Sequence, residues 1–277
     1  MIEKTLFVSD LDHTLLRSDE SLSDRTTTVV NRLIARGGLF TYATARSYTS
    51  ALRVTSNLQL ALPVVAYGGA AMFTPPSDVP AEVAHLPSET VLAIQDLTAS
   101  HSDVEPIFYN IVEGRDRIHW RGAHATPYVD WYISTRLGDP RLLPVSGWRD
   151  ADPATAFYCT MLGSGDALRE LRESLGSWFG ECFVTLGPDK YEQDQHWLEI
   201  VAADGTKARA IQRLKARVGA DRVVVFGDNH NDVPMFGAAD EGYAVSNAVP
   251  ELLDVATDVL ASNDEDAVAA WLETNVL

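Results

Sequence analysis

TLFVSDLDHTLL, residues 5–16, decides how the whole chain is read. Its first residues, Thr5, Leu6, Phe7 and Val8, are the β-branched, aliphatic and aromatic types of a short buried strand. Two acids, Asp10 and Asp12, follow at once, where such a strand ends. A second stretch is built the same way: VVVF at 223–226 runs into GDNHND at 227–232, which carries Asp228 and Asp232. Strands of one sheet bring distant segments to a common edge. Four carboxylates gathered there are costly without a cation. A hard oxygen donor set selects Mg²⁺, and Mg²⁺ at strand ends points to phosphate chemistry. An acidic turn that only caps a helix explains either cluster alone, but not the pair.

Outward from the first stretch, residues 1–73 alternate strand and helix. Ser23 is placed to cap a helix running to about Gly37, with Val29, Val30, Leu33 and Ile34 on one face. LFTYAT at 39–44 is a second strand, Ser47 caps a helix to about Leu58, and PVVAY at 63–67 is a third strand before Gly68 and Gly69. Strands separated by helices of this length predict a parallel sheet with right-handed crossovers. TPPSDVPAE at 74–82 breaks the rhythm and reads as a linker. From about 83 to 188 the texture changes. Helix patterns near 88–100, 126–137 and 165–176 alternate with strand patterns near 106–112, 154–161 and 181–187, which predicts an α+β unit with an antiparallel sheet. GPDKYEQD at 187–194 reads as the return linker, and the strand–helix rhythm resumes at HWLEIVA, 196–202. The expected fold is α/β: a Rossmann-like parallel core from residues 1–80 and 190–277, with an inserted α+β domain at 83–188.

The chain has 277 residues, 46% of them hydrophobic, enough for a large core and too many for a disordered chain. Thirty-nine acids against 22 bases leave a formal charge of −17. That surface repels nucleic-acid backbones and anionic membranes. It also repels phosphorylated metabolites, so a phosphate site needs local cations. The N-terminal stretch enters a strand without the pattern of a secretory signal, and no run reaches the length of a membrane span. Cys159 and Cys182 sit in apolar strand-like segments with no CxxC, the pattern of buried structural thiols. A cytoplasmic protein, monomer or homodimer, is the expectation.

Asp10 and Asp12 at this spacing can supply both an in-line nucleophile and a proton donor for a leaving oxygen. Asp228, just after its strand, is placed to reach a metal, and Asp232 to bind it, orient a bound water or cap the next helix. Zinc fits poorly, because no cysteine pair or paired histidines accompany the acids, and His230 lies in the wrong ligand set. Thr44 ends the second strand, and Ala45, Arg46 and Ser47 open the next helix, a seat for phosphate or a plain hydroxyl cap. Arg46 either touches that phosphate or pairs with a surface acid. Lys207 stands near a helix start, unfavourable against the dipole, which suggests an anionic partner. Lys190 is a rival in the linker.

The set DLDHT at 10–14, Thr44-Ala45-Arg46, Lys207 and GDNHND at 227–232 resembles the four motifs of the haloacid dehalogenase-like phosphatases, in order and spacing. The long insertion resembles the type IIB cap of the Cof-like hydrolases. The resemblance implies a Mg²⁺-dependent phosphatase working through an aspartyl phosphate. It makes Asp10 the nucleophile and Asp12 the proton donor and later the base. Asp10, the backbone carbonyl of Asp12, and Asp228 would surround Mg²⁺, supported by Asp232 and Asn231. Thr44 and Lys207 would hold the phosphoryl group. Val245-Ser246-Asn247-Ala248 matches the family's late Asn-Ala loop, where Asn247 either approaches the site or, the favoured reading, locks a turn. Three positions depart from the pattern. His13 stands where relatives carry glycine, and either bears strain at positive φ or faces the leaving group. Ala45 also replaces a glycine, and Gly68 stands where an Asn is common.

The resemblance assigns leaving-group selection to the cap. IHWRGAHATPYVDWY at 118–132 offers Arg121, His119, His124 and aromatic rings, although Trp131 and Tyr132 read first as a helix face packed on the cap sheet. A small phosphorylated metabolite, a sugar phosphate before a nucleotide or cofactor phosphate, is the expected substrate. A phosphomutase or phosphotransferase is the alternative enzyme. A receiver-like phospho-Asp regulator is the alternative of another class, disfavoured by the insertion and by Asp12.

Overall fold

The strand expected at the first motif is β1 (Thr5–Ser9), fully buried from Leu6 onward. A computed structural model describes residues 4–99, 103–176, 179–188 and 195–277. After β1 the chain makes one wide helical turn, Leu11–Leu15, and then α1 (Asp24–Ala35). The Ser23 hydroxyl accepts from the Thr26 amide at its start, and Val29, Val30 and Leu33 face the core. β2 (Leu39–Tyr42), α2 (Tyr48–Thr55) and β3 (Val64–Ala66) follow, with Ser47 capping α2. Next come β4 (Ala71–Phe73) and β5 (Pro80–Val83).

The chain then forms α3 (Ser88–Ala99), β6 (Pro106–Val112), β7 (Arg115–His119) and α4 (Pro127–Ser134). It continues through β8 (Ala156–Gly163), α5 (Gly165–Ser174), β9 (Cys182–Pro188) and β10 (His196–Ala202). The last part is α6 (Lys207–Val218), β11 (Arg222–Gly227), α7 (Val233–Gly237), β12 (Glu241–Ala244), α8 (Pro250–Leu253), β13 (Asp258–Val259) and α9 (Ala267–Asn275).

These elements form two units, one of residues up to Glu82 with Thr206–Leu277, the other Val83–Gly205. The first is a Rossmann-like layer structure around a parallel sheet ordered β13-β12-β11-β1-β2. A parallel bridge between Ala43 and Val65 carries that sheet on to β3. β1 lies between β2 and β11, where the order of connection reverses, and ligands of such sheets bind beyond the carboxyl ends of the strands at that point. Ser9 pairs with Phe226 on one side and Tyr42 on the other, so Asp10, Gly227 and Ala43 leave the sheet together. Leu6, Val8, Val223, Val225, Ala210 and Leu214 are among the buried residues that fix this register.

The second unit is a five-stranded antiparallel sheet, β7-β6-β8-β10-β9. Val91 and Ile94 of α3 and Leu168 and Leu171 of α5 pack with Phe108, Met161, Leu198 and Ile200 of the strands.

Two segments differ from the sequence reading. Residues 74–82 are not all linker: Pro80–Val83 is β5, the outer strand of a small sheet ordered β3-β4-β5. Prolines are tolerated there because an edge strand need not donate along both sides. More consequentially, 196–202 does not belong to the core, as the division at 190 expected. It is β10, antiparallel between β8 and β9 in the second unit. Strand followed by helix looks the same in sequence whichever sheet receives the strand, so its partners settle the matter. Most of the return linker, including Lys190, lies outside the described residues.

Candidate active site

Each acidic side chain is set by the strand before it. The Asp10 amide still donates to the Phe226 carbonyl at 2.9 Å, so Asp10 continues the β1 register while its carboxylate reaches past the sheet edge. The turn after β11 is organised by Asp232. Its Oδ2 accepts from the Asp228 and Asn229 amides, each at 3.1 Å, and its Oδ1 faces Lys207. Gly227 permits this closeness, since a Cβ there would stand 2.8 Å from Asp232 Oδ2 and 2.9 Å from its Cβ. Thr14 donates its hydroxyl to Asp228 Oδ1 at 3.1 Å. Sequence reading quoted Thr14 without giving it this part.

Lys207 is the first residue of α6, and its ammonium lies 2.7 Å from Asp10 Oδ1 and 2.8 Å from Asp232 Oδ1. The anionic partner inferred from its place against the helix dipole is therefore this pair of aspartates. Lys207 is only 2% exposed and Asp232 not at all. Burial works to lower the Lys207 ammonium, yet the two carboxylates outweigh it and hold the group above its ordinary value. Asp10 is pressed the other way. Burial, the largest influence, pushes its carboxyl well above the usual range, Lys207 opposes this, and Asp232, Asp228 and Asp12 add to it.

The electrostatics are thus short of positive charge. One oxygen from each of Asp10, Asp228 and Asp232 lies within 4.8 Å of the others, all three residues are buried, and Lys207 is the ammonium paired into the group. A divalent cation closes that deficit, and an all-oxygen set suits Mg²⁺ rather than zinc. The Asn231 side-chain oxygen, next in sequence to Asp232, is buried with no hydrogen-bond partner. The donors therefore fit a hard cation. His230 does not join them: it is exposed, with Nδ1 3.8 Å from Glu251.

Asp12 is placed differently. Its carboxylate turns to Arg46, which donates from Nε to both oxygens at 3.0 and 2.8 Å and from Nη2 to Oδ1 at 2.5 Å. Its side chain is thus outside the metal-type cluster, and Arg46 pairs here with an acid, one of the two partners read for it. The same Nη2 donates to Glu20 at 2.9 Å. Thr44 is buried in the loop after β2, and its hydroxyl accepts from the Arg46 amide at 3.1 Å. The helix expected to open at Ala45 begins only at Tyr48, so Ala45 and Arg46 belong to that loop. His13 has a positive φ, +57°, the first of the two alternatives read for it. Its carbonyl accepts from Asn247 Nδ2 at 2.9 Å, and Asn247 Oδ1 accepts from the Asn263 amide, the turn-locking part read for Asn247.

Arg121 lies in the second unit and is engaged there. Its guanidinium is bidentate on Glu105, at 2.7 and 2.6 Å, and stands over the Trp148 ring. Tyr132 and Trp131 pack edge-on against Trp197, as a helix face on the sheet. Glu20 and Glu105, the acids that engage these arginines, escaped sequence reading, because nothing in sequence marks an acid whose partner is folded onto it from elsewhere.

The family model for haloacid dehalogenase-like hydrolases matches residues 7–272. A 5-amino-6-(5-phospho-D-ribitylamino)uracil phosphatase of Bacillus subtilis is 24% identical over 97% of this chain and 96% of its own length. A putative phosphatase of Haemophilus influenzae is 26% identical, over 99% and 98%. The solved structure of a haloacid dehalogenase-like hydrolase from Bacteroides thetaiotaomicron superposes with a TM-score of 0.79 at 22% identity, covering 98% of this chain and 99% of that one. With the fold, the inserted unit and the buried aspartates in agreement, the chain belongs to the haloacid dehalogenase-like hydrolases, with a Cof-type IIB cap, and is a phosphomonoesterase.

Proposed function

We propose that this enzyme hydrolyses a small phosphorylated metabolite, a sugar phosphate or a close relative, with Asp10 as nucleophile and Asp12 as proton shuttle. The observation that carries the reading is the buried group of Asp10, Asp228 and Asp232 closed by Lys207 at a sheet edge. The phosphorylated ribityl group named for the Bacillus subtilis relative supports an ester of a polyol or sugar.

An Asp10 carboxylate oxygen attacks phosphorus, forming an aspartyl phosphate as the ester P–O bond breaks. The departing oxygen takes its proton from Asp12. Asp12 then removes a proton from water, whose oxygen attacks the same phosphorus. The bond to Asp10 breaks, inorganic phosphate leaves, and both aspartates are restored. Lys207 neutralises charge on Asp10 throughout, and Thr44 in its loop supplies a hydroxyl toward the transferred group. Asp10, Asp228 and Asp232 would hold Mg²⁺, which when bound offsets the charge of the phosphoryl oxygens.

The test is a phosphate-release screen over phosphorylated sugars, polyols, nucleotides and cofactors. Release from at least one sugar or polyol phosphate is expected, stopping with EDTA, returning with Mg²⁺, and abolished in Asp10→Asn. Release that survives in Asp10→Asn removes the nucleophile. Transfer of phosphate to an added alcohol in place of water would assign a phosphotransferase.

A further inference from the structure

Asp12 faces two demands. It must reach the leaving oxygen, yet its carboxylate is gripped by Arg46 through three contacts of 2.5 to 3.0 Å. The grip is not exclusive. Arg46 Nη2 also donates to Glu20 Oε2 at 2.9 Å, so one guanidinium bridges two carboxylates. Arg46 is the most enclosed of the three, its side chain 16% exposed against 33% for Asp12 and 49% for Glu20. A planar fork can stay bidentate on one carboxylate while it donates to a second, which a point-charge ammonium does not do.

Glu20 is held where it can do this. It lies in the turn 17–21 with φ +64°, a conformation uncommon for glutamate. The turn closes on itself through Arg17 N to the Ser21 carbonyl and Glu20 N to the Arg17 carbonyl, both at 2.9 Å. It is pinned from outside by Arg17 on Asp266 and by Ser18 on Asp264. A turn tied at this many points is a fixed anchor for one carboxylate.

We propose that Glu20 is a positioning residue for the proton-transfer step: it holds Arg46 when Asp12 swings to the leaving oxygen, so that Asp12 is released without leaving an unpaired guanidinium. The proposal rests on Asp12 being the proton donor of the preceding section. Without Glu20 the whole guanidinium falls to Asp12, and the carboxyl departs less readily. The defect belongs to leaving groups that need a proton. A nitrophenolate departs without one; a benzyl alcohol does not.

The experiment compares kcat/KM for p-nitrophenyl phosphate and benzyl phosphate, a pair of similar size, in wild type, Glu20→Gln, Glu20→Ala and Asp12→Asn. kcat/KM reports steps through departure of the leaving group, so slow hydrolysis of the aspartyl phosphate does not mask the effect. Because general acid catalysis is worth about 10²- to 10⁴-fold, its impairment in Glu20→Gln is expected to lower the benzyl-to-nitrophenyl ratio about tenfold. Glu20→Ala should do the same, and Asp12→Asn more. Melting temperatures of both Glu20 variants near wild type show that the fold persists. Equal loss on both substrates would mean a merely structural residue and overturn the proposal, as would no loss on either. An Asp12→Asn variant with an unchanged ratio would instead remove Asp12 as proton donor, and a wild type inactive on every phosphate ester would remove the enzymatic reading itself.

Discussion

At the scale of single residues the site is a balance of buried charge. Lys207 compensates Asp10 and Asp232 in a place that water does not reach. Replacing it by Met leaves two buried carboxylates without their partner, and breaking such a pair costs about 3–5 kcal/mol. Urea unfolding of Lys207→Met should show a loss of that order in the absence of Mg²⁺, partly restored when Mg²⁺ is added, since a ligand that binds only the folded state stabilises it. A loss unaffected by Mg²⁺ would argue against a cation bound among Asp10, Asp228 and Asp232. His13 offers the opposite case. At φ +57° an L-residue bears about 1–2 kcal/mol of strain that glycine does not. His13→Gly, less glycine's entropic cost, is expected to raise stability by about 0.5–1 kcal/mol in the same assay. If activity on the preferred substrate falls while stability rises, the strained histidine touches the leaving group.

At the scale of elements, precision comes from close backbone approach. Gly69 has φ +116°, and a Cβ on it would stand 2.1 Å from the Thr206 carbonyl carbon and 2.5 Å from the Lys207 amide nitrogen. Those are backbone atoms at the start of α6 and cannot rotate aside. Gly69→Ala is therefore expected to displace the helix start that aims Lys207, lowering kcat by about a hundredfold, the penalty of roughly 1 Å of misplacement, with far-UV circular dichroism unchanged. Gly68, at φ +65° with open space around it, should tolerate Ala far better. The sequence showed the strand ends because apolar run and acid are adjacent in the chain, and Asp10 and Asp228 could be named on that ground, while Lys207 was legible from its place at a helix start against the dipole. It hid which sheet takes β10, because a strand's neighbours are chosen by tertiary pairing. It hid the hold of Glu20 on Arg46 and of Glu105 on Arg121 for the same reason: each pair joins residues far apart in the chain.

At the scale of the whole molecule, the formal charge of −17 acts against a phosphorylated substrate before any contact is made. The two cations nearest the chemistry do little to reverse this at a distance. Lys207 is neutralised by Asp10 and Asp232, and Arg46 by Asp12 and Glu20. The long-range field a dianionic ester meets is therefore the repulsive field of the surface. Such a field is screened by salt, over a Debye length of about 30 Å at 0.01 M and about 8 Å at 0.15 M. Raising ionic strength across that range at fixed free Mg²⁺ should lower KM about threefold, a modest share of the effect that fields of this kind exert on encounter, while kcat stays nearly constant because the buried group is shielded from the added ions. A KM that rises with salt would mean that attraction by the bound Mg²⁺ and neighbouring cations outweighs the surface, so that substrate is drawn in by the site in spite of the molecule around it.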